Sequence, residues 1–308
     1  MIPERELSPV VLFVYNRPWH TEMTLQSLAQ NHFASRTDLV VYSDGPKTAA
    51  DNHKIEEVRA SVRGAAGFKS VTLIERSANL GLATSVINGV SEQIERTGWV
   101  IVLEDDMVTS PFFLEYMNDA LELYRDEEKV ISIHGYLYPV EELLPDCFFL
   151  PGADCWGWAT WRRGWKLFEK DGQRLLSELR RRKLVEEFDL NGAYPYTRML
   201  QEQIAGRNDS WAIRWHASAF LNGKLTLYPG RSLVHNIGTD ASGTHCRASS
   251  ELDVRLSSTR IILGNIPVYP SDLAFRQISK FLKQIAPSDM FVHRGLRALC
   301  LLLRGIWI

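Results

Sequence analysis

The feature that most constrains the fold is a short apolar, β-branched run that recurs through the first half of the chain. Five such runs start 29 to 32 residues apart, at residues 10–15, 39–43, 71–75, 100–104 and 130–134. The segments between them carry apolar residues at helical spacing, as at Val86, Val90 and Ile94. Alternating strands and helices of this length predict an α/β fold, Rossmann-like, with a mostly parallel central sheet flanked by helices.

Polar side chains follow four of these runs at the point where each run ends. The four clusters are Tyr15-Asn16-Arg17-Pro18, Ser43-Asp44-Gly45-Pro46, Glu75-Arg76 with Asn79-Leu80-Gly81, and Glu104-Asp105-Asp106. A single cluster would be an ordinary turn, because Asn, Asp, Gly and Pro dominate turns for backbone reasons. Ligands of open α/β sheets bind beyond the carboxyl ends of the strands, so four clusters favour a binding site at that edge.

The acidic triplet Glu104-Asp105-Asp106 directly follows an apolar run that reads as a buried strand. Adjacent carboxylates repel one another unless a cation is present, and they suit a hard ion such as Mg2+ or Mn2+ that also binds phosphate oxygens. The alternative is a solvated helix N-terminus, since acids favour the first turn before Ser110-Pro111. The position at the end of a buried strand favours the metal interpretation.

The charge balance and the chain ends exclude several function classes. Lysine and arginine total 35 against 37 acids, for a net charge of -2, which disfavours a nucleic-acid partner. The four cysteines form no CxxC pair, so we expect reduced thiols, and residues 1–9 lack the apolar run of a secretory signal. A cytoplasmic protein is expected. Residues 298–308 are apolar but too short to span a bilayer, and they either pack on the protein or lie at a membrane interface.

Taken together, these motifs resemble the family-2-type inverting glycosyltransferases of the GT-A fold. Within that group, residues 104–116 and Phe149-Leu150-Pro151-Gly152 resemble the N-acetylglucosaminyltransferase I branch, and the resemblance covers about residues 9 to 245. It implies a metal-dependent transferase with a DXD-like motif. Such an enzyme moves a sugar from a nucleoside-diphosphate donor, with UDP expected, to an acceptor hydroxyl with inversion.

The resemblance also implies roles for the residues at the strand ends. The donor-binding residues would be Asn16, Arg17, Asp44, Arg76, Asn79, Gly81, Glu104 and Asp105. Of these, Asp44 would accept hydrogen bonds from the base, Asp105 would face the ribose or sugar, and Asp106 would ligate Mn2+ or Mg2+. Arg17 has a simpler alternative, a surface ion pair.

The second half of the chain is dense in tryptophan. Aromatic faces stack on sugar rings, and Trp156, beside Gly157, is the predicted sugar contact. Residues Trp158, Trp161 and Trp165 have helical spacing and are predicted to lie in the core.

An inverting transfer needs a general base near the attacking hydroxyl. Many relatives carry an acid where this chain has Ala212, directly after Trp211. Asp209 is therefore the first candidate base and Glu202 the second. The alternative for Asp209 is a helix cap.

A loop rich in Gly, Ser and Thr at residues 239–246 has the composition of a lid that closes over a donor. His235 or His245 could complete the metal site, since imidazole is an acceptable ligand for Mn2+, although a lone histidine is more often structural.

The predicted organisation has a nucleotide-sugar-binding half at residues 1–135, an acceptor and lid half at 136–265, and a helical tail at 266–308. The resemblance implies a glycan or lipid-linked saccharide acceptor in bacterial surface glycan assembly, at the cytoplasmic face of the inner membrane. Two alternatives remain. A non-catalytic nucleotide-sugar or glycan-binding module would explain Ala212, and a sugar-phosphate nucleotidyltransferase would need a glycine-rich loop that residues 15–18 do not provide.

Overall fold

The computed structural model describes residues 6–240 and 250–286. The strands are β1 (Val10–Val14), β2 (Asp38–Ser43), β3 (Ser70–Glu75), β4 (Trp99–Glu104), β5 (Met107–Thr109), β6 (Val130–His134), β7 (Cys147–Pro151), β8 (Trp158–Trp161), β9 (Leu225–Pro229) and β10 (Val234–Asn236). The helices are α1 (Pro18–Ala29), α2 (Asn52–Arg63), α3 (Leu82–Thr97), α4 (Phe113–Leu123), α5 (Arg162–Trp165), α6 (Gly172–Arg181), α7 (Val185–Phe188), α8 (Tyr196–Ile204), α9 (Trp211–Leu221) and α10 (Asp272–Ile285). The five predicted strands are present within a residue of their expected bounds.

The central sheet has eight strands in the order β3-β2-β1-β4-β8-β6-β9-β7. Strands β1 to β4 form one parallel block, and β6 pairs in parallel with β9. The predicted α/β class with a mostly parallel sheet is confirmed. The sequence rhythm did not predict β8, which lies antiparallel between β4 and β6. A second sheet of two strands pairs β5 with β10.

Both faces of the sheet are covered, which explains why its strands read as continuous apolar runs. Alternate residues of β4 enter different cores: Ile101 and Leu103 pack with α1 and α4, whereas Val100 and Val102 pack with α3 and α9. This burial on both sides fixes the register of β1 to β4, because a slip of one residue would exchange the two faces.

Trp158, Trp161 and Trp165 lie in the core, as expected, but the first two not for the expected reason. Trp158 and Trp161 belong to strand β8, so they enter opposite cores rather than one helix face. Trp158 lies 5.4 Å from Trp211 between ring centroids in a stacked arrangement, and Trp165 packs against Trp215 at 5.3 Å. This aromatic cluster attaches α9 to the central sheet.

A helical layer, α6 to α9, has its own apolar cluster centred on Leu179, Phe188 and Leu200. At the far edge of the sheet, α10 packs on β7 and β9 through Ile278 and Leu282. No helix in residues 6–240 and 250–286 is long and apolar enough to cross a membrane. Residues 298–308, for which a membrane interface was considered, lie outside the described residues, and the three-part division of the chain stays a prediction.

Candidate functional site

The carboxyl ends of β1, β2 and β4 lie level with one another. Phe13 pairs with Glu104 across β1 and β4, and the backbone N–H of Asp44 donates to the Val14 carbonyl at 3.1 Å. The polar clusters that follow these strands therefore meet at one edge of the sheet, as the parallel arrangement requires.

Asp44 joins the loop after β2 to the loop after β3. Its buried carboxylate accepts hydrogen bonds from the backbone N–H groups of Leu80, at 2.9 Å, Gly81, at 3.0 Å, and Gly45, at 3.0 Å. Gly81 caps α3 with a φ of 77°, a region that favours glycine. Asp44 therefore holds the backbone in place at the start of α3. The sequence did not reveal this structural role, which is separate from the predicted contact of Asp44 with the base.

The other predicted base and ribose contacts line the same two loops. The Asn79 amide donates to the Gly45 carbonyl at 3.0 Å, and the Asn16 amide donates to Asp51 at 2.8 Å. The Arg76 guanidinium lies 5.4 Å above the Tyr42 ring, and its buried Nε has no hydrogen-bond partner among the described residues. These contacts hold the loops in place. They do not test the nucleotide-binding roles, which stay predictions.

The acidic triplet is buried at the centre of this edge. Asp105 and Asp106 are each 6% exposed. Burial, together with the negative charges of Asp106 and Asp105, raises the pKa of Glu104 to about 8. Burial also raises the pKa of Asp105, although Arg17 opposes the effect. Three carboxylates in this setting create a strong demand for positive charge.

Arg17 meets part of that demand. It is the residue before Pro18, at the start of α1, and its side chain is 17% exposed. Its guanidinium donates to Asp105 and, at 2.6 Å, to Asp106. Burial alone would lower the pKa of Arg17, but Asp105 and Asp106 outweigh it and raise the pKa. The alternative of a surface ion pair is wrong, because this pair is buried at the carboxylate edge.

Asp106 keeps one oxygen free of any partner. Its Oδ1 is buried and has no hydrogen-bond partner among the described residues, whereas Arg17 binds its Oδ2. Gly238 lies directly against the second oxygen, since a Cβ at that position would come within 2.0 Å of Asp106 Oδ2. A carboxylate oxygen that is buried and unpartnered suits a hard divalent ion. In residues 6–240 and 250–286, no three His, Cys, Asp or Glu side chains are arranged to hold a metal by themselves.

The segment that carries the predicted base borders the triplet. The Trp211 indole lies close to Glu104, and a Cβ on Gly81 would lie 3.6 Å from Asp209 Oδ2. The Asp209 side chain is 60% exposed. The cap of α9 is Ser210, whose hydroxyl accepts from the Ile213 N–H, so the capping alternative for Asp209 is wrong.

The second candidate base and the two histidines have other surroundings. Glu202 forms an ion pair with Arg198 on its own helix at 3.0 Å, and no described hydrogen bond or ion pair joins it to the triplet. The His235 ring has Nδ1 2.9 Å from the Val254 carbonyl oxygen and Nε2 3.9 Å from Asp253, so the structure directs this ring to residues 253–254. His245 and the lid residues 241–246 lie outside the described residues.

Trp156 and its neighbour Asp154 form a second polar group beyond β7. The half-buried Trp156 ring lies 4.7 Å from the Tyr136 ring, edge to face. Asp154 accepts a hydrogen bond from the Tyr138 hydroxyl at 2.7 Å. The sequence reasoning missed Asp154. No local pattern marked it, because β7 runs opposite to β4 and its end does not lie at the edge that carries the acidic triplet.

A cleft of about 530 Å³ also lies at the opposite edge of the sheet, by the amino ends of β2 and β3, lined among others by Arg36, Lys69 and Arg96. It contains none of the predicted site residues. Since ligands of such sheets bind at the carboxyl ends, we assign the site to the acidic triplet.

No protein-family model and no curated protein matches the chain. Among solved structures, a mannosyltransferase from Pyrobaculum calidifontis, in complex with GDP-mannose and Mn2+, is 12% identical with a TM-score of 0.32. The match covers 55% of this chain and 50% of the mannosyltransferase. S. aureus TarS, residues 1–349 in complex with UDP, is 16% identical with a TM-score of 0.31, and the match covers 45% of this chain and 38% of that one. Likeness at this level says nothing about the reaction.

Proposed function

We propose that this chain is a metal-dependent glycosyltransferase that moves a sugar from a nucleoside-diphosphate donor to an acceptor hydroxyl with inversion. The observation that carries the proposal is the buried acidic triplet at the carboxyl edge of the sheet. Among the described residues, Asp106 Oδ1 has no hydrogen-bond partner, and Arg17 supplies one positive charge to three acids.

The chemistry of this donor set fits a divalent ion bound to a diphosphate. Asp105 and Asp106 would hold Mn2+ or Mg2+, with phosphate oxygens supplying the ligands that the protein lacks. Such an ion stabilises the negative charge that develops on a departing nucleoside diphosphate. Arg17 would then exchange its carboxylate partners for a phosphate oxygen, for which its planar guanidinium is suited.

The remaining roles follow from position. The loops joined by Asp44 and Asn79 border the nucleotide base and ribose, and Gly81 lets the backbone approach the donor closely. Asp209 is the proposed general base, because it lies on the rim of the site, next to Gly81 and two residues before the Trp211 that contacts Glu104. As a half-exposed carboxylate it can accept the proton of an acceptor hydroxyl.

The experiment that tests this function is a panel of nucleoside-diphosphate sugars, with and without Mn2+, measured by thermal shift and then by release of free nucleoside diphosphate. We expect at least one donor to raise the melting temperature only when Mn2+ is present, and to release nucleotide. The anomeric configuration of the product, read by NMR, tests inversion. Failure of every donor to bind in the presence of Mn2+ would refute the proposal.

A non-catalytic nucleotide-sugar-binding module is the second candidate, favoured by one observation, the Ala212 that stands where many relatives carry an acid. Nucleotide release distinguishes the transferase from the binding module. A binding module would show the metal-dependent thermal shift without any nucleotide release.

A further inference from the structure

Asp154 is a carboxylate whose partners are all neutral. It accepts hydrogen bonds from the Tyr138 hydroxyl at 2.7 Å and from the Cys155 backbone N–H at 3.1 Å, and the Tyr228 hydroxyl lies close to it. Within residues 6–240 and 250–286 no lysine, arginine or histidine forms an ion pair with it. A carboxylate in such a setting is balanced by hydrogen bonds rather than by a counter-charge.

The Asp154 carboxylate retains capacity for a further donor. Its two oxygens offer about four lone-pair positions, of which these two hydrogen bonds use two. The residue is half-buried. A neutral hydroxyl can donate to a remaining position without displacing the Tyr138 hydroxyl.

Half-exposed aromatic side chains surround this carboxylate. Tyr194 and Tyr196 are 4.9 Å apart between ring centroids. Burial and the negative charge of Asp154 raise the pKa of both hydroxyls. Burial raises the pKa of Tyr138 and Tyr196, so their hydroxyls stay protonated and remain donors at neutral pH. Trp156 lies two residues further along the chain. Aromatic faces beside a carboxylate and neutral hydroxyls match the alternating apolar and polar faces of a sugar ring.

This tyrosine-ringed carboxylate adjoins the acidic triplet through Cys155. Burial raises the pKa of the Cys155 thiol, and the negative charges of Asp154, Glu104 and Asp106 raise it further. Residues 154–157 lead directly into β8, whose first residue, Trp158, pairs with Val102 of β4, two residues before Glu104. A ligand at Asp154 would lie next to a sugar held at the triplet, within the same carboxyl edge of the sheet.

We propose that Asp154, with Tyr138, Tyr194, Tyr196 and Trp156, forms the subsite for a neutral sugar of the acceptor. A sugar hydroxyl donates to Asp154, and the sugar ring lies against the tyrosine and tryptophan faces. This assignment rests on the proposed glycosyltransferase function, and it names the acceptor as a saccharide rather than a protein or lipid hydroxyl. In this proposal Asp154 binds the sugar and takes no part in proton transfer.

The test measures binding of p-nitrophenyl glycosides of glucose, galactose, mannose and N-acetylglucosamine to the full chain by saturation-transfer NMR, without donor or metal. We expect at least one glycoside to bind, and Asp154→Asn to weaken its binding roughly tenfold, the size expected when a charged acceptor becomes a neutral amide. Tyr194→Ala, a half-exposed position that leaves the carboxylate intact, should weaken the same glycoside several-fold. Asp146→Asn removes an exposed acid that pairs with Arg231 at 3.2 Å, and it serves as the matched control with unchanged binding.

The outcomes separate this inference from the function on which it rests. If no glycoside binds the wild-type protein, or if Asp154→Asn and Tyr194→Ala both bind as wild type does, the subsite is refuted even when nucleotide-sugar binding with Mn2+ is intact. If glycosides bind and depend on Asp154 while no nucleotide sugar binds, the subsite stands and the transferase function fails.

Discussion

The acidic triplet and the half-buried Asp154 are stabilised in opposite ways. At Glu104-Asp105-Asp106 the charge is met by the Arg17 guanidinium, and one oxygen of Asp106 has no hydrogen-bond partner among the described residues. At Asp154 the charge is met by the Tyr138 hydroxyl and a backbone N–H. A charge balanced by a counter-charge can exchange that partner for another cation, whereas a charge balanced by neutral donors selects neutral ligands. The first group is suited to a metal and a diphosphate, and the second to a sugar.

The largest expected effect comes from removing the carboxylate with the free oxygen. Asp106→Ala should lower turnover roughly 10³-fold and abolish Mn2+-dependent donor binding, because a metal ligand contributes several kcal/mol to stabilising the leaving group. Calorimetry with nucleotide sugar and Mn2+ measures the binding, and Asp146→Asn is again the control. Donor affinity equal to that of the wild type would remove Asp106 from the metal site.

The comparison also predicts that Arg17 and a divalent ion compete for the same acids. Arg17→Ala should destabilise the metal-free protein by roughly 3 kcal/mol, since it leaves buried charges unpaired, and Mn2+ should restore stability more than it does in the wild type. Arg17→Lys, which keeps the charge but loses the planar fork, should lie between the two. Chemical denaturation without Mn2+ measures the loss of stability, and denaturation with Mn2+ measures how much stability the ion restores. An equal Mn2+ effect in all three proteins would show that Arg17 and the ion do not share a site.

The proposed role of Asp209 as general base can be tested separately from donor binding. Asp209→Asn should lower kcat roughly 10²-fold while donor affinity stays unchanged, because a general base acts on the acceptor proton and not on donor binding. Glu202→Gln is the matched comparison, since Glu202 was the other candidate and pairs with Arg198 on its own helix. A loss of activity in Glu202→Gln with normal turnover in Asp209→Asn would reverse the assignment.

The parallel half of the molecule was predictable from sequence, and the other half only in part. Strands β1 to β4 are buried on both faces, so their apolar runs stand out, and polar residues after each run necessarily meet at one edge. Strand β8 was missed because Trp158 and Trp161 have the spacing of a helix, and only their partners in the sheet place them on opposite faces.

The donor site was predicted better than its internal contacts. Spacing places Asp105 and Asp106 at the end of a strand, but it does not show that Arg17 binds both of them, or that Gly238 touches Asp106, since these contacts join residues more than 80 positions apart. Asp154 was missed for the same reason. Its tyrosines come from three separate segments, and no local pattern reveals that they surround one carboxylate.

The smallest expected effect concerns pH, and it should have opposite sign in the two regions. Glu104 has a pKa raised from 4.5 to about 8, so its contribution to stability is complete below pH 4.5 and is lost as the pH rises toward 8. His216 packs under Gly152 beside Asp154, and burial lowers its pKa below 6.5, so its contribution is complete above pH 6.5 and is lost as the pH falls. Between pH 8 and pH 5.5, acidification therefore gains stability at Glu104 and loses it at His216.

Substituting Glu104 or His216 should remove the contribution of that residue to the pH dependence of stability. On going from pH 8 to pH 5.5, Glu104→Gln should lose more free energy of unfolding than the wild type, and His216→Gln should lose less, because each variant lacks the pH dependence of the group that it replaces. His53→Gln changes an exposed histidine on α2 and should follow the wild type. Urea denaturation at the two pH values measures the difference. If the Glu104 and His216 variants shift in the same direction, the direction of the pKa shift is wrong for one of these two groups.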